Sequence, residues 1–309
     1  MTRLFASIVG LLVFSACMPA AQKQPQEATP AATANVLEIT RVTNDPTIEF
    51  WPRPSPDGKS LLYGVYDRTK KGGAAFSVEL VATEGVGKRL VAGPGAGDAT
   101  WLPDGSGFVY VNVTSGRPLL VRSPISGIGT TFITNNPAGT ADGQPDVSPD
   151  GKRVVFNTLI RGEATICTIG IDGSGFTIYV PGSSPRWNPS GERLVFDRKV
   201  GSKYQIFTLD IKSGQVTQLT TGSYDNSFPS WSPDGNWITF QSNRDGRFQV
   251  YIMKADGTAI TQLTKGDASA WMPNWSADGY VYFASSIAQA ATVDEWQASD
   301  IWRVKPKLP

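Results

Sequence analysis

The sequence predicts an all-β protein, a six-bladed β-propeller of four-stranded blades. One observation behind this is compositional: Gly 32 and Pro 22 among 309 residues imply many turns and leave little room for long helices. The second is a repeated turn motif, seen as WPRPSPDG at 51–58, DATWLPDG at 98–105, QPDVSPDG at 144–151, SPRWNPSG at 184–191, FPSWSPDG at 228–235 and MPNWSADG at 272–279. The residue before the last Gly falls at 57, 104, 150, 190, 234 and 278, giving steps of 47, 46, 40, 44 and 44. A period of about 44 residues is that of a four-stranded propeller blade.

The chain begins Met1-Thr2-Arg3, then runs apolar from Leu4 to Phe14, then reads Ser15-Ala16-Cys17. One positive charge, a short apolar core and small residues before a cysteine predict a cleaved secretory leader over 1–16, too short for an ordinary membrane span. Segment 17–35 is Ala, Pro, Gln and Thr with hardly any bulky apolar side chain, so it is expected to be a flexible tether. Such a chain spans about 20–25 Å. The propeller then occupies 36–309.

Within each unit, Pro presets φ and Gly accepts φ > 0, which makes the motif a tight turn. Alternating second strands follow at 60–65, 107–112, 153–158, 193–198, 237–242 and 280–285. Each carries an aromatic at one fixed place: Tyr63, Tyr110, Phe156, Phe196, Phe240 and Phe283. Third strands are expected at 76–81, 119–122, 165–171, 204–209 and 248–253, with fourth strands such as 216–220 and 260–264. The recurring Trp101, Trp187, Trp231 and Trp275 read as packing between blades, with Pro54 and Val147 in their place in two units. In the last unit only 275–276, 280–285 and 300–305 look like strands. Segment 36–43 (VLEITRVT) resembles the fourth strand at 258–264, so the N-terminal strand is predicted to close the last blade and remove two exposed edges.

Charge and residue counts narrow the function. Lys+Arg 28 against Asp+Glu 27 gives a net charge of +1, which argues against nucleic-acid binding. The absence of histidine removes Ser-His-Asp and Cys-His nucleophiles and His-containing metal sites. Carboxylate, Tyr and Lys chemistry remains. Cys167 alternates with Ile in Thr165 to Ile169 and reads as a buried structural residue.

The P-x-W-S-P-D-G motif followed by an alternating strand resembles the TolB-type propeller repeat, over residues 36–309. The resemblance is to the TolB propeller without TolB's N-terminal α/β domain. Ser15-Ala16-Cys17 likewise resembles the lipobox of bacterial lipoproteins, with Phe14 where Leu is usual. It implies acylation of Cys17 and a monomer on a membrane facing the periplasm; Met18 in the next position implies the outer membrane. A soluble secreted protein cut near Ala16 is the alternative.

In a propeller of this topology, loops entering the first strands crowd the channel mouth, and loops between second and third strands lie further out on that face. The first set contains Asp45, Glu49, Asp98, Asp142, Asp225 and Asp267; the second contains Arg68, Arg117, Arg161, Lys199, Arg244 and Arg247 among others. An acidic centre inside a basic ring suits a binding face, although the same residues suit ordinary solvated turns. Trp51, Phe228 and Trp271 lie beside the mouth, and Trp296 sits on the long 286–299 connection, an uncommon length inside a compact repeat. The expected partner-binding set is therefore Trp51, Asp98, Asp142, Asp225, Phe228, Trp271, Arg244 and Trp296, with no catalytic residue and no resident cofactor. The partner would be an envelope protein or peptide, by resemblance to TolB's reception of the peptidoglycan-associated lipoprotein. The rival reading is a metal-dependent lactonase or other small-molecule hydrolase, with calcium in the channel near Asp146, Asn274 and the mouth carboxylates. Arg53 and Arg186 are the only first-strand arginines and make no sialidase-type triad.

Overall fold

The computed structural model describes residues 29–135, 140–286 and 299–308. Six antiparallel four-stranded sheets follow one another around a central axis. Their first strands are Ile48–Pro54, Ala96–Trp101, Gly143–Val147, Ser183–Trp187, Asn226–Trp231 and Ser269–Trp275, numbered here as blades one to six. Each first strand touches those of both neighbouring blades, which closes a ring around the channel. The sixth sheet is completed as expected: Val36–Arg41 pairs with Asp300–Pro306, with Ile39 opposite Val304, and Arg41 bonds Asp300 at 2.6 Å.

The motif turns are built by their own side chains. In blade one the Ser55 hydroxyl donates to Asp57 at 2.6 Å and accepts from the Ser60 N–H at 2.9 Å, while Asp57 accepts from the Lys59 N–H. The same set recurs at Ser148 with Asp150 and at Ser232 with Asp234. Gly58 adopts φ 70° at the end of the turn, where any Cβ would lie 2.9 Å from the Asp278 backbone N. A glycine is therefore required there twice over, by conformation and by space.

The apolar core is divided by seam rather than by sheet. Val195 and Ile206 of blade four pack with Trp231, Ile238 and Phe240 of blade five, and the other seams carry clusters of the same kind. Trp187, Trp231 and Trp275 each sit in such a cluster, as the spacing implied. Cys167 is fully buried between blades two and three, and burial pushes its thiol up to about 12, so it is held protonated. Residues 31–35, placed in the tether on composition, already engage the propeller. Ala31 and Ala32 pair with Lys265 and Thr264, and the Thr33 hydroxyl donates to the Gln262 carbonyl at 2.8 Å.

Candidate functional site

Every first strand is interrupted by a bulge at the same place, between Phe50 and Arg53 in blade one and between Trp271 and Asn274 in blade six. The bulge puts one non-glycine residue of each blade into left-handed conformation: Trp51, Asp98, Gln144, Ser184, Phe228 and Met272, with φ between 44° and 55°. Such a backbone costs about 1–3 kcal/mol per residue and persists only where the surroundings hold it. Here adjacent blades hold it. The N–H of Ser184 donates to Gln144 Oε1 at 2.8 Å, that of Phe228 to Asp197 Oδ2 at 2.9 Å, and that of Met272 to Gln241 Oε1 at 2.8 Å.

This ring divides the channel. Trp51, Phe228 and Met272, from blades one, five and six, converge in one buried cluster with Trp271 and Phe50. Trp51 reaches across to blade two, where a Cβ on Gly97 would stand 3.6 Å from its ring. Blades two to four contribute Asp98, Gln144 and Ser184 instead, and Gln144 Nε2 donates to Ser184 Oγ at 3.0 Å.

Above the ring lies the face of the loops that lead into the first strands. The expected acidic centre is mostly internal: Asp98, Asp142, Asp225 and Glu49 are all buried, and only Asp267 is exposed. Asp225 accepts from the Tyr204 N–H at 3.0 Å and contacts Lys203 and Asn243, both at 3.2 Å. Burial raises Glu49 to about 8, outweighing the Thr43 hydroxyl donated to it and the Lys88 ammonium 3.6 Å away. Lys88, which no motif singles out, also contacts Asp45 at 2.8 Å and Glu79 at 2.9 Å. Trp51, Phe228 and Trp271 are 8, 5 and 7% exposed, so they form the floor of this face rather than its surface. The rim is cationic and open at Arg68, Arg161, Lys199 and Arg247. Arg244 lies 4.9 Å from the Tyr224 ring centre and 4.7 Å from that of Tyr251, and donates to Asn226 at 3.0 Å. Trp296 and Cys17 lie outside the described residues.

Below the ring, at the motif-turn end, the channel opens into a cavity of about 260 Å³ to which all six blades contribute. Its polar lining is a second ring, one residue per blade: Arg53, Thr100, Asp146, Arg186, Ser230 and Asn274. These occupy the position just before the repeated Trp, and that register is the signal by which the sequence could have found them. Asp146 accepts from Thr100 at 3.2 Å and from the Trp187 N–H at 2.8 Å; Asn274 Oδ1 accepts from Ser230 at 3.2 Å. Arg53 approaches Asp98 at 3.4 Å. Burial raises Asp98 and Asp146 to about 6, against the pull of Arg53. Among the described residues no three His, Cys, Asp or Glu side chains are grouped to hold a metal ion, and the oxygens of Asp146 and Asn274 accept hydrogen bonds from Thr100, the Trp187 N–H and Ser230.

Residues 178–298 match the family model of the TolB beta propeller domain. TolB from Acinetobacter baumannii superposes with a TM-score of 0.63 at 18% identity, over 81% of this chain and 64% of that one. The fold is that of a TolB-like propeller. A proposed TolB from Agrobacterium tumefaciens gives a TM-score of 0.65 at 19% identity, over 90% of this chain and all of that one (100%). A gluconolactonase from Xanthomonas campestris matches this TolB-like propeller as well, with a TM-score of 0.64 at 12% identity over 94% and 98% of the two chains. At such identities the likeness shows the fold alone. In sequence, an uncharacterized protein of Agrobacterium fabrum is 30% identical over 146 residues, 46% of this chain and 48% of that protein. The match thus spans about half the length of that relative.

Proposed function

We propose that this TolB-like propeller is a non-catalytic, monomeric envelope lipoprotein that receives a protein partner on the face of the loops leading into its first strands. Acylation of Cys17 would hold it on a membrane, the outer membrane by the Met18 that follows, with the propeller facing the periplasm. The observation that carries the partner reading is the apolar floor of Trp51, Phe228 and Met272 under an open cationic rim. An exposed ring of like charge orients an acidic partner and speeds its encounter. Asp225 on that face is engaged internally by Tyr204 and Lys203, which favours a positioning role over general-base chemistry there. Arg244 and Trp296 would contact the partner directly. Trp51, Asp98, Asp142, Asp225, Phe228 and Trp271 would keep the floor rigid beneath it.

The test is affinity capture from solubilised envelope, comparing the wild type with Arg161→Glu/Lys199→Glu/Arg247→Glu. Loss of a specific acidic protein from the variant supports the proposal. Identical capture by both, together with stoichiometric calcium binding and turnover of a lactone, would replace it with the hydrolase reading. Labelled palmitate that enters Cys17→Ser as well as wild type would remove the anchor.

A further inference from the structure

The cavity at the motif-turn end lies beyond the ring of bulge residues, none of which lines it. Its wall carries two guanidinium groups, Arg53 and Arg186, against one carboxylate, Asp146. The arginines come from blades one and four, on opposite sides of a six-blade ring. Arg53 is 5% exposed, its Nε is buried without a partner, and its contact with Asp98 at 3.4 Å is longer than a strong charge-assisted bond. Arg186, 7% exposed, is fixed by Nη1 donating to the carbonyls of Pro185 at 2.6 Å and Gln144 at 3.3 Å. Its remaining N–H groups bond nothing among the described residues. Asp146 cannot serve either arginine fully, since it already accepts from Thr100 and from the Trp187 N–H.

We propose that this cavity is a binding site for a small organic monocarboxylate, its anionic group taken by Arg53 and Arg186. Planar guanidinium forks match a carboxylate geometrically, and one anionic charge balances the lining. A dianion such as phosphate is disfavoured by Asp146 in the wall and Asp98 behind Arg53. The volume suits a molecule of monosaccharide size or smaller. Further oxygens on the ligand have a donor to meet in the amide of Asn274, which lines the cavity with only its Oδ1 engaged, by Ser230 at 3.2 Å. A hydroxylated acid fits this donor set better than a simple fatty acid.

Isothermal titration with acetate, lactate, gluconate and galacturonate, beside galactose and inorganic phosphate, tests the assignment. The expected result is saturable one-to-one binding of at least one hydroxylated carboxylate, with a raised melting temperature, and at least tenfold weaker binding of galactose and phosphate. Arg186→Gln should weaken that carboxylate at least tenfold while leaving circular dichroism unchanged. Because Arg53→Gln alone strands Asp98, the double variant Arg53→Gln/Asp98→Asn is the second probe and should lose binding to the same degree. No carboxylate bound with a Kd tighter than about 1 mM, equal binding of phosphate or galactose, or an unaffected Arg186→Gln variant would overturn the proposal.

Discussion

The two halves of the bulge ring fill the same backbone position with side chains of opposite chemistry. Blades two to four place Asp98, Gln144 and Ser184 there and link them by hydrogen bonds; blades five, six and one place Phe228, Met272 and Trp51 and pack them together. The apolar half includes blade six, whose sheet is assembled from the N-terminal strand Val36–Arg41 and three C-terminal strands. At the junction of blades six and one, Trp51 is packed with Val42, Ile48, Tyr282 and Ile301, so burial adds to the chain link that Val36–Arg41 makes into the first strand of blade one.

The harshest way to break this comparison is to delete residues through Thr43. Blade six then loses its outer strand and the seam loses Val42, and we expect loss of the cooperative unfolding transition and aggregation through the opened edge. Deletion through Ala34 should cost far less, because it removes only the short pairing to Thr264 and Lys265. Circular dichroism melts of the two shortened chains distinguish the cases. Next in size, Trp51→Ala should destabilise by about 3–5 kcal/mol in urea titration, as expected for emptying a buried aromatic site.

A pH series sharpens the same contrast, because Glu49 belongs to the seam. Its folded value, about 8, lies above its ordinary 4.5, so the folded state keeps a proton that the unfolded chain has lost. Stability must therefore fall as pH rises from about 4.5 to about 8 and level off above; the fall between pH 6 and 8 should be at most ~2–3 kcal/mol. Asp98, Asp146 and Asp197, each raised to about 6 by burial, act with the same sign below that window. Urea midpoints at pH 6 and 8 should differ in the wild type and converge in Glu49→Gln. On the polar half, Gln144→Ala strips the acceptor from the Ser184 N–H and should cost about 1–3 kcal/mol, with little pH dependence.

Blade number, strand order and closure were legible because the turn chemistry of Ser55-Pro56-Asp57-Gly58 and its copies is local and repeats. The bulge ring was not, since Trp, Asp, Gln, Ser, Phe and Met share no side-chain property that announces a left-handed backbone; the requirement is met by partners in the adjacent blade. The acidic residues of the loops leading into the first strands were visible as a set, but not their burial. Asp225 goes inside because Tyr204 and Lys203, about twenty residues away, supply its partners. Arg53 and Arg186 stood out as the first-strand arginines, yet only the ring closure puts them in one cavity.

The N-terminal segment runs down the rim of blade five, from Ala31 beside Lys265 to Asn35, whose carbonyl accepts from the Lys307 N–H, and then turns up along blade six. Mechanically this is a buckle across two blades. A pull applied upstream of Thr29 reaches the Ala31 to Thr33 contacts before it reaches the strand Val36–Arg41, so the short outer pairing yields first and frees several residues while the ring stays shut.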